Sequence, residues 1–596
     1  MKNKNVYHRY STGRNYTVEK HTQILITLLK QYQIRKIIAS PGGTNVCLVG
    51  SLQSDPYFQI YSSVDERSAA YMAVGLAAES GEPVALSCTA STASRNYLPG
   101  LTEAYYRKLP ILAITASQHL GRVGQNYSQV IDRSLSLADI VNESVTVDCV
   151  YTEEDEWQCA LNINKALIAL RKDGGGPAHI NLITTYNKDF SCKRLPQVKK
   201  ITYVSNIRDM PSLDEYNHIA ILVGVHCKWS YDLKNAVEDF CGAYNAVVIE
   251  NHASNYQGKY GYNPDLISNM AQYVPTTELA DLVIYIGSVS RYGSGMKEKA
   301  MWRVNPDGRI RDIEKRLTYV FSMEEADFFR YYADLKKGVK NNSYAKQWQA
   351  EYESILEKMP ELPFCNVWVA KTLSRLLPEN SVFHLSGSNT ARAWNFFRIS
   401  KTIECYSNDG AMGIDGQISA LIGESLACPE KIHFGAVGDL TFFYDMNSLG
   451  NRHIGDNLRL LVVNNGKGAE FKIYSHLAAS FGEAGDAYMA AAGHFGNKSS
   501  KLIRHYAEDL GYEYLTASTK KEFEKNAKRF VSSEKMEHPI IFEVFTDSID
   551  ESDGIYAMNH IVSSSVGKAK SFAKDMINSV AGEKGVSIAK KILKTI

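Results

Sequence analysis

Short apolar runs alternate with helical patterns along the whole chain, and this alternation predicts an α/β fold. A strand that is covered on both faces of a parallel sheet reads as a continuous apolar run. The candidate strands are 36–39, 84–88, 111–115, 178–182, 219–225, 246–249, 282–286, 382–385, 432–437, 458–463 and 540–545. Helical or loop segments separate them, so we predict doubly wound parallel sheets.

Two breaks in this alternation indicate domain boundaries. The chain has 596 residues, which is too many for one hydrophobic core. A basic stretch around Pro196 and a polar stretch from Lys336 to Pro363 interrupt the alternation. We therefore predict three parallel-sheet domains at residues 1–195, 196–362 and 363–562, followed by a tail at 563–596.

The tail is rich in lysine, and its pattern predicts a basic amphipathic helix. Phe572, Met576, Ile577 and Val580 fall on one helical face. Helices of this kind are typical of segments that lie on an anionic membrane or dock a partner. Packing of the tail on its own oligomer is the alternative interpretation.

Charge and composition exclude several classes of protein. Basic side chains number 66 and acidic ones 65, so a formal net charge of +1 gives no electrostatic support for nucleic-acid binding. The ten cysteines include no C-x-x-C pair. Neither the N-terminus nor any apolar run fits a signal peptide or a membrane span. We expect a protein of the reducing cytoplasm.

Polar residues follow two strand candidates of the last domain. Gly438-Asp439-Leu440-Thr441 follows one run, and Asn465 follows the next. Because ligands of open parallel sheets bind beyond the carboxyl ends of the strands, Asp439 and Asn465 are expected at one crevice. Carboxylate and amide oxygens suit Mg²⁺ together with phosphate oxygens. Each residue alone is explained as a helix cap or a turn, but the pair at this spacing favours a ligand site.

Glu66 stands in a charged triplet, Asp65-Glu66-Arg67, at the start of a very apolar predicted helix. Acidic residues in a first helical turn complement the helix dipole, which is a purely structural explanation. The functional alternative places the Glu66 carboxyl in a dry cleft, where it could share a proton with a heterocycle nitrogen.

The order of these motifs resembles that of thiamine-diphosphate-dependent enzymes, in which G-D is followed beyond the next strand by N-N. The segments 438–447 and 406–416 are similar to segments of the menaquinone-pathway synthases, which join decarboxylated 2-oxoglutarate to isochorismate. The segment 176–182 resembles the G-P-x-H-I-N segment that closes their first domain. The resemblance implies pyrimidine-binding, middle and diphosphate-binding domains in this order, with thiamine diphosphate and Mg²⁺ as cofactors.

The resemblance also implies roles for individual residues. Glu66 would activate the cofactor through its pyrimidine ring, and Gln129 would lie near the reacting carbon. Asp439, Asn465 and the backbone carbonyl of Lys467 would bind Mg²⁺. The implied cofactor-binding residues are Ser388, Asn389, Asn408, Met412, Ile414, Gly438, Asp439, Leu440, Thr441, Asn465 and Phe471.

The chain departs from the menaquinone-pathway synthases where their acidic substrates would be bound. Thr44, Gln118 and Asp409 stand at places where those enzymes have cationic side chains, and Glu470 replaces an apolar residue. Each charge-assisted pair contributes about 1.5–3 kcal/mol, so we expect isochorismate not to be the acceptor. The candidate substrate-contacting residues are Thr44, Gln118, His119, Asp409 and His476.

We therefore predict a transferase or lyase that decarboxylates a 2-oxo acid and joins the resulting enamine to an acceptor. The alternatives are simple decarboxylation, a non-catalytic cofactor-binding relative, and a relative of flavin-containing acetolactate synthase. In the resembled family the activating glutamate reaches a cofactor held by another subunit. The resemblance thus implies a homodimer or homotetramer with active sites between subunits, and small molecules as substrates.

Overall fold

The strands form three parallel sheets with helices between them, in a computed structural model that describes residues 14–133, 138–289, 299–534 and 536–579. The predicted α/β fold of doubly wound parallel sheets is confirmed. The chain folds as two compact units. The first comprises the described residues up to Ser205 together with Arg309–Val320, and the second comprises the remaining described residues. The predicted domain boundaries stay a prediction.

The first unit contains a six-stranded sheet in the order β2-β1-β3-β4-β6-β5. Its strands are β1 (Lys36–Ala39), β2 (Gln59–Ser62), β3 (Val84–Cys88), β4 (Ile111–Ser117), β5 (Glu143–Val147) and β6 (Ala178–Ile183), and β7 is Thr202–Val204. Its α-helices are Lys20–Gln31, Val46–Gln53, Glu66–Ser80, Thr92–Asn96, Leu98–Tyr106 and Glu153–Ala169.

The central strands of this sheet are buried on both faces, which explains their continuous apolar runs. Successive side chains of a strand point to opposite faces. Ile37 belongs to the core that contains the helix Lys20–Gln31. Its neighbour Ile38 belongs to the core that contains the alanine-rich helix Glu66–Ser80.

The second unit contains five strands of the second sheet and the whole of the last sheet. These strands of the second sheet are β8 (Ile219–Val223), β9 (Val247–Ile249), β10 (Gly261–Tyr262), β11 (Leu282–Ile286) and β12 (Ala300–Val304), in the order β10-β9-β8-β11-β12. A thirteenth strand, β13 (Leu317–Phe321), crosses the division between the units. The helices of this part are Tyr231–Tyr244, Asp265–Ser268, Glu325–Leu335 and Ser343–Leu356.

The last sheet positions the candidate cofactor site and has the order β15-β14-β16-β17-β19-β18. Its strands are β14 (Val382–Leu385), β15 (Glu404–Tyr406), β16 (His433–Gly438), β17 (Leu458–Asn464), β18 (Glu513–Ala517) and β19 (Ile540–Phe545). Its α-helices are Asn366–Leu373, Asn389–Trp394, Gln417–Ala427, Asp439–Asp445, Leu502–Asp509, Lys520–Phe530 and Ser548–Asn559.

A helix at Ser565–Ser579 begins the predicted tail. Its start is close to the backbone of Gln272, because a Cβ on Gly567 would lie 2.1 Å from the Gln272 carbonyl oxygen. Phe572 is exposed. The amphipathic pattern predicted from Met576 onward concerns side chains outside the described part of the chain. Within the described residues, no helix is long and apolar enough to cross a membrane.

Candidate active site

Two neighbouring strands bring Asp439 and Asn465 to the same edge of the last sheet. β16 and β17 run parallel, with Gly438 opposite Val463, so both strands end at one level. Asp439 begins the helix Asp439–Asp445, and Asn465 directly follows β17. The strand pairing thus produces the juxtaposition that the spacing of the two motifs predicts.

The oxygen atoms of Asp439 and Asn465 fit a bound cation. Burial raises the pKa of Asp439 to about 7, although backbone N–H groups of Leu440 and Gly466 act to lower it. Asn465 Oδ1 is buried and has no hydrogen-bond partner within the described residues. A divalent cation would keep the carboxyl ionised and would give the amide oxygen a partner.

The buried carboxyl group of Glu543 holds the start of the loop after β17 through a hydrogen bond to Asn464. Asn464 donates from Nδ2 to Glu543 Oε1 at 2.6 Å and accepts at Oδ1 from the Gly466 N–H at 3.1 Å. Tyr514 donates to the second Glu543 oxygen at 2.7 Å. The first asparagine of the N-N pair is therefore structural, and it orients the backbone that carries Asn465.

Lys467 is held by both its backbone and its side chain. Its carbonyl oxygen accepts from the Ala469 N–H at 2.9 Å, which uses one of two lone pairs. Its Nζ donates to Asp486 at 2.7 Å, and Lys472 donates to the same carboxylate at 2.6 Å. The carbonyl can therefore still act as the predicted metal ligand.

The loop after β14 contributes the second group of predicted cofactor residues. Ser388 has a φ of 61°, a strained conformation for a residue with a side chain, and it precedes the helix Asn389–Trp394. Asn389 Oδ1 is buried without a hydrogen-bond partner within the described residues. Strain and an unsatisfied polar atom on one short loop are typical of a site that is completed by a ligand.

The remaining predicted cofactor residues lie on two loops of the same unit. Asn408 donates from Nδ2 to the Gly416 carbonyl at 3.1 Å, which closes the loop that carries Met412 and Ile414. Met412 has a φ of 55° and is half exposed. Phe471 is partly exposed, and its ring centroid lies 5.3 Å from that of His476. Exposed apolar side chains on such loops are available to pack against a ring system.

Glu66 is the first residue of the helix Glu66–Ser80 in the first unit. Asp65 caps this helix by accepting from the Ser68 N–H at 3.0 Å, which leaves Glu66 outside the capping interaction. Glu66 is half-buried, and its charge adds to the effect of burial in raising the pKa of the Cys88 thiol at the end of β3. The Glu66 side chain is thus partly exposed to solvent, and its backbone is held at the start of a capped helix.

Thr44 and Gln118 lie where β1 and β4 end. The Thr44 hydroxyl is buried, 2.6 Å from Thr89 Oγ1, and donates to the Ala116 carbonyl at 3.1 Å. It therefore ties the ends of three strands together. Gln118 accepts a hydrogen bond from Arg122, and its amide donates to Tyr186 at 3.3 Å.

His119 and Gln129 lie on the exposed segment that follows Gln118. His119 accepts the Gly121 N–H at Nδ1, 3.1 Å away, and so begins a short 3-10 turn. Gln129 is exposed and has a φ of 64°. A left-handed backbone is uncommon for a residue with a side chain, so Gln129 is a locally constrained position on this loop.

Comparison with known proteins identifies the chain's relatives. Residues 19–136 match the family model of the thiamine pyrophosphate enzyme N-terminal TPP binding domain. The chain is 31% identical over 557 residues to 2-succinyl-5-enolpyruvyl-6-hydroxy-3-cyclohexene-1-carboxylate synthase of Bacteroides fragilis, covering 89% of this chain and 97% of that protein. The enzyme of the same name from Phocaeicola vulgatus is 31% identical over 552 residues, covering 89% and 96%. The one from Porphyromonas gingivalis is 25% identical over 556 residues, covering 87% and 93%.

The chain belongs to this synthase family of thiamine pyrophosphate enzymes. The resemblance seen in the sequence motifs and the predicted enzyme class, dependent on thiamine diphosphate, are thereby confirmed. The matched N-terminal domain contains Glu66, Gln118, His119 and Gln129. The roles of these individual residues, and of those in the last sheet, stay predictions.

The synthase-family motifs do not reveal one polar cluster that the structure brings together. Arg392 forms a two-point ion pair with Glu470, with both nitrogen–oxygen distances at 2.8 Å. Ser388 Oγ donates to the same carboxylate at 3.0 Å. The sequence offers two signals: Glu470 departs from the apolar residue of the family, and Arg392 stands one position away from an arginine of the menaquinone-pathway synthases. Asp409, the other acidic departure, is buried.

Proposed function

We propose that the chain catalyses the thiamine-diphosphate- and Mg²⁺-dependent decarboxylation of a 2-oxo acid and the transfer of the remaining fragment to an acceptor. One observation carries the proposal: the buried Asp439 carboxyl and the buried Asn465 Oδ1, which has no hydrogen-bond partner within the described residues, follow adjacent parallel strands that end at one level. Thiamine diphosphate, when bound, supplies the carbanion chemistry that removes CO₂ from a 2-oxo acid.

The protein's contribution is to hold the metal, orient the cofactor and move one proton. Asp439, Asn465 and the Lys467 carbonyl would bind Mg²⁺, which in turn holds phosphate oxygens. Glu66 would exchange a proton between its carboxyl oxygen and a ring nitrogen. Phe471 and Ile414 would pack against the rings and limit the access of water.

We infer that the acceptor is not isochorismate, the acceptor of the menaquinone-pathway synthases that the sequence motifs resemble. Thr44, Gln118 and Asp409 are not cations at the places where the menaquinone-pathway synthases carry them, and the guanidinium beside Gln118, that of Arg122, already donates to the Gln118 amide oxygen. The Thr44 hydroxyl is already bonded to Thr89 and Ala116, which leaves it little capacity to bind a carboxylate. A 2-oxo acid donor joined to an uncharged carbonyl acceptor fits these side chains better than isochorismate.

The proposal is tested by CO₂ release from purified protein supplied with thiamine diphosphate, Mg²⁺ and single 2-oxo acids. Glu66→Gln should retain the cofactor but release CO₂ at least about 100-fold more slowly, because proton exchange with the ring is lost. Asp439→Ala should lose Mg²⁺-dependent cofactor binding, measured by calorimetry.

Glu79→Gln, on the exposed end of the same helix as Glu66, is the matched control and should behave as wild type. Normal CO₂ release by Glu66→Gln would contradict the assigned role. Failure of the wild type to bind the cofactor would contradict the whole proposal. A product that forms only when an aldehyde or ketone is added distinguishes transfer from simple decarboxylation.

We also propose that the enzyme is a homo-oligomer in which Glu66 of one subunit serves the cofactor held by the last sheet of another. The support is the family to which the chain belongs and the division of the predicted residues between two parts of the chain. The subunit-mixing experiment described in the Discussion tests this arrangement.

A further inference from the structure

The ion pair between Arg392 and Glu470 lies on the same edge of the last sheet as the candidate metal ligands. Arg392 belongs to the helix that follows β14, and Glu470 belongs to the 3-10 turn Ala469–Lys472 after β17. β14 and β17 are the two neighbours of β16, the strand that ends at Asp439. The pair therefore joins the two segments that follow the strands on either side of β16.

The geometry of the pair uses the part of the guanidinium that recognises carboxylates. Each terminal nitrogen of Arg392 donates to a different oxygen of Glu470 at 2.8 Å. This fork-to-fork arrangement is the one by which arginine binds a substrate carboxylate. Burial acts to raise the pKa of Glu470, but the hydrogen bonds and charge of Arg392 hold it below its usual value. The carboxylate is thus ionised and bound.

The pair is still within reach of a small molecule. The Arg392 side chain retains 30% of its accessible surface and that of Glu470 retains 23%. A substrate carboxylate that took the same fork of Arg392 would have to displace Glu470 and leave a half-buried carboxylate without its partner. Such displacement is unfavourable, because an unpaired charge in a partly desolvated place loses both its ion pair and its hydration.

We propose that Glu470 is a specificity-determining residue that occupies Arg392 and rejects 2-oxo acids with a second carboxylate. The donor class is then a 2-oxo acid with a single carboxylate and an uncharged chain, of which pyruvate is the smallest. This inference rests on the proposed function and adds the substrate class to it. Ser388 reinforces the exclusion, because its hydroxyl holds the Glu470 carboxylate in place.

The test compares pyruvate with 2-oxoglutarate in the holoenzyme and in Glu470→Gln. Glutamine keeps the size of the side chain and an acceptor oxygen for Ser388, but it releases the charge of Arg392. The ratio of kcat/KM for 2-oxoglutarate to that for pyruvate should rise about tenfold or more. Calorimetric binding of 2-oxoglutarate should strengthen by a similar factor. In Glu470→Gln/Arg392→Gln the ratio should return to the wild-type value.

Glu483→Gln, an exposed carboxylate of the neighbouring 3-10 segment Leu477–Gly485, is the matched control and should leave the ratio unchanged. Glu470→Leu restores the apolar character of the family and serves if the glutamine variant does not fold. An unchanged ratio in a Glu470 variant that binds the cofactor overturns the inference and leaves the proposed function intact. If the wild type binds the cofactor but decarboxylates neither acid, the calorimetric affinity for 2-oxoglutarate in wild type and Glu470→Gln decides the inference, and equal affinities overturn it.

Discussion

Glu551 is a fully buried acid, and its burial disfavours the ionised form of the carboxyl group. Both of its oxygens accept the Asn366 N–H, at 3.0 and 3.1 Å, and Thr546 donates to it at 2.7 Å. These bonds favour the carboxylate, but burial is the larger effect and raises the pKa from 4.5 to about 7. Because this pKa differs between the folded and unfolded states, Glu551 makes the free energy of unfolding depend on pH.

The sign of this coupling gives a prediction for Glu551→Gln. The unfolded chain loses the proton near pH 4.5 and the folded protein near pH 7, so the folded state binds more protons between these values. The free energy of unfolding should fall by an amount on the order of a few kcal/mol as pH rises through this window. In Glu551→Gln this part of the fall should be absent, as measured by urea unfolding at several pH values.

Glu524→Gln, on the exposed face of the helix Lys520–Phe530, is the control and should retain the wild-type pH dependence. An identical pH dependence in Glu551→Gln and wild type would contradict the prediction. The carboxyl group would then not be the source of the coupling.

At the scale of elements, the loop between β17 and the turn Ala469–Lys472 carries two of the proposed metal ligands, Asn465 and Lys467. Gly466 has a φ of 76°, and a Cβ at this position would lie 2.4 Å from Asn497 Nδ2. Asn497 is itself held, because its Oδ1 accepts the Gly493 N–H at 2.7 Å. The loop therefore needs glycine for two independent reasons, conformation and space.

We predict that Gly466→Ala weakens Mg²⁺-dependent cofactor binding about tenfold or more, because the loop that carries Asn465 must shift. Far-UV circular dichroism should be unchanged, since no helix or strand is interrupted. Gly423→Ala is the control: this helical glycine has open space around its Cβ position, and alanine should be neutral or slightly stabilising. Wild-type affinity in Gly466→Ala would show that the loop does not hold the metal.

The elements found by sequence reasoning share a physical property. In the first and last sheets all central strands were predicted, whereas the edge strands β2, β5, β15 and β18 were not. Central strands are covered on both faces and read as apolar runs. Edge strands are partly solvated and carry residues such as Gln59, Glu143 and Glu513. Their place in the sheet is decided by the partner strand, not by their own composition.

At the scale of the whole molecule, the first and last sheets have the same strand order although no repeat is visible in the sequence. Counted along the chain within each sheet, both orders are 2-1-3-4-6-5. The order of strands in a sheet depends on the lengths and handedness of the connections between them. Two sheets can therefore share one order although their side chains differ. The likeness therefore became apparent only from the fold.

The proposed oligomer predicts that two inactive variants complement each other. If Glu66 of one subunit serves the site of another, a heterodimer of Glu66→Gln and Asp439→Ala contains one doubly altered site and one intact site. Random pairing after co-expression should restore about a quarter of the wild-type specific activity. Differently tagged subunits allow the mixed species to be purified and assayed.

The control pairs Asp439→Ala with Asn465→Ala, which lie in the same half of the site, and this mixture should remain inactive. Absence of complementation by purified mixed oligomers of Glu66→Gln and Asp439→Ala would contradict the arrangement. It would place both residues in one subunit's site.

The sequence by itself determined the α/β class, the central strands and the pairing of Asp439 with Asn465. These follow from local properties, because burial on both faces marks a strand and parallel strands end at a common edge. It also determined the family, through the order of motifs that lie at those strand ends.

Only the tertiary structure decided the edge strands, the support of Asn464 by Glu543, and the ion pair of Arg392 with Glu470. The last two contacts join residues 79 and 78 positions apart in the chain. Their meeting depends on which strands become neighbours, and that is set by packing of the whole sheet rather than by any local pattern. In the structure, the departing residue, Glu470, binds Arg392 with its carboxylate. This contact is what turns a departure from the family sequence into a hypothesis about the substrate.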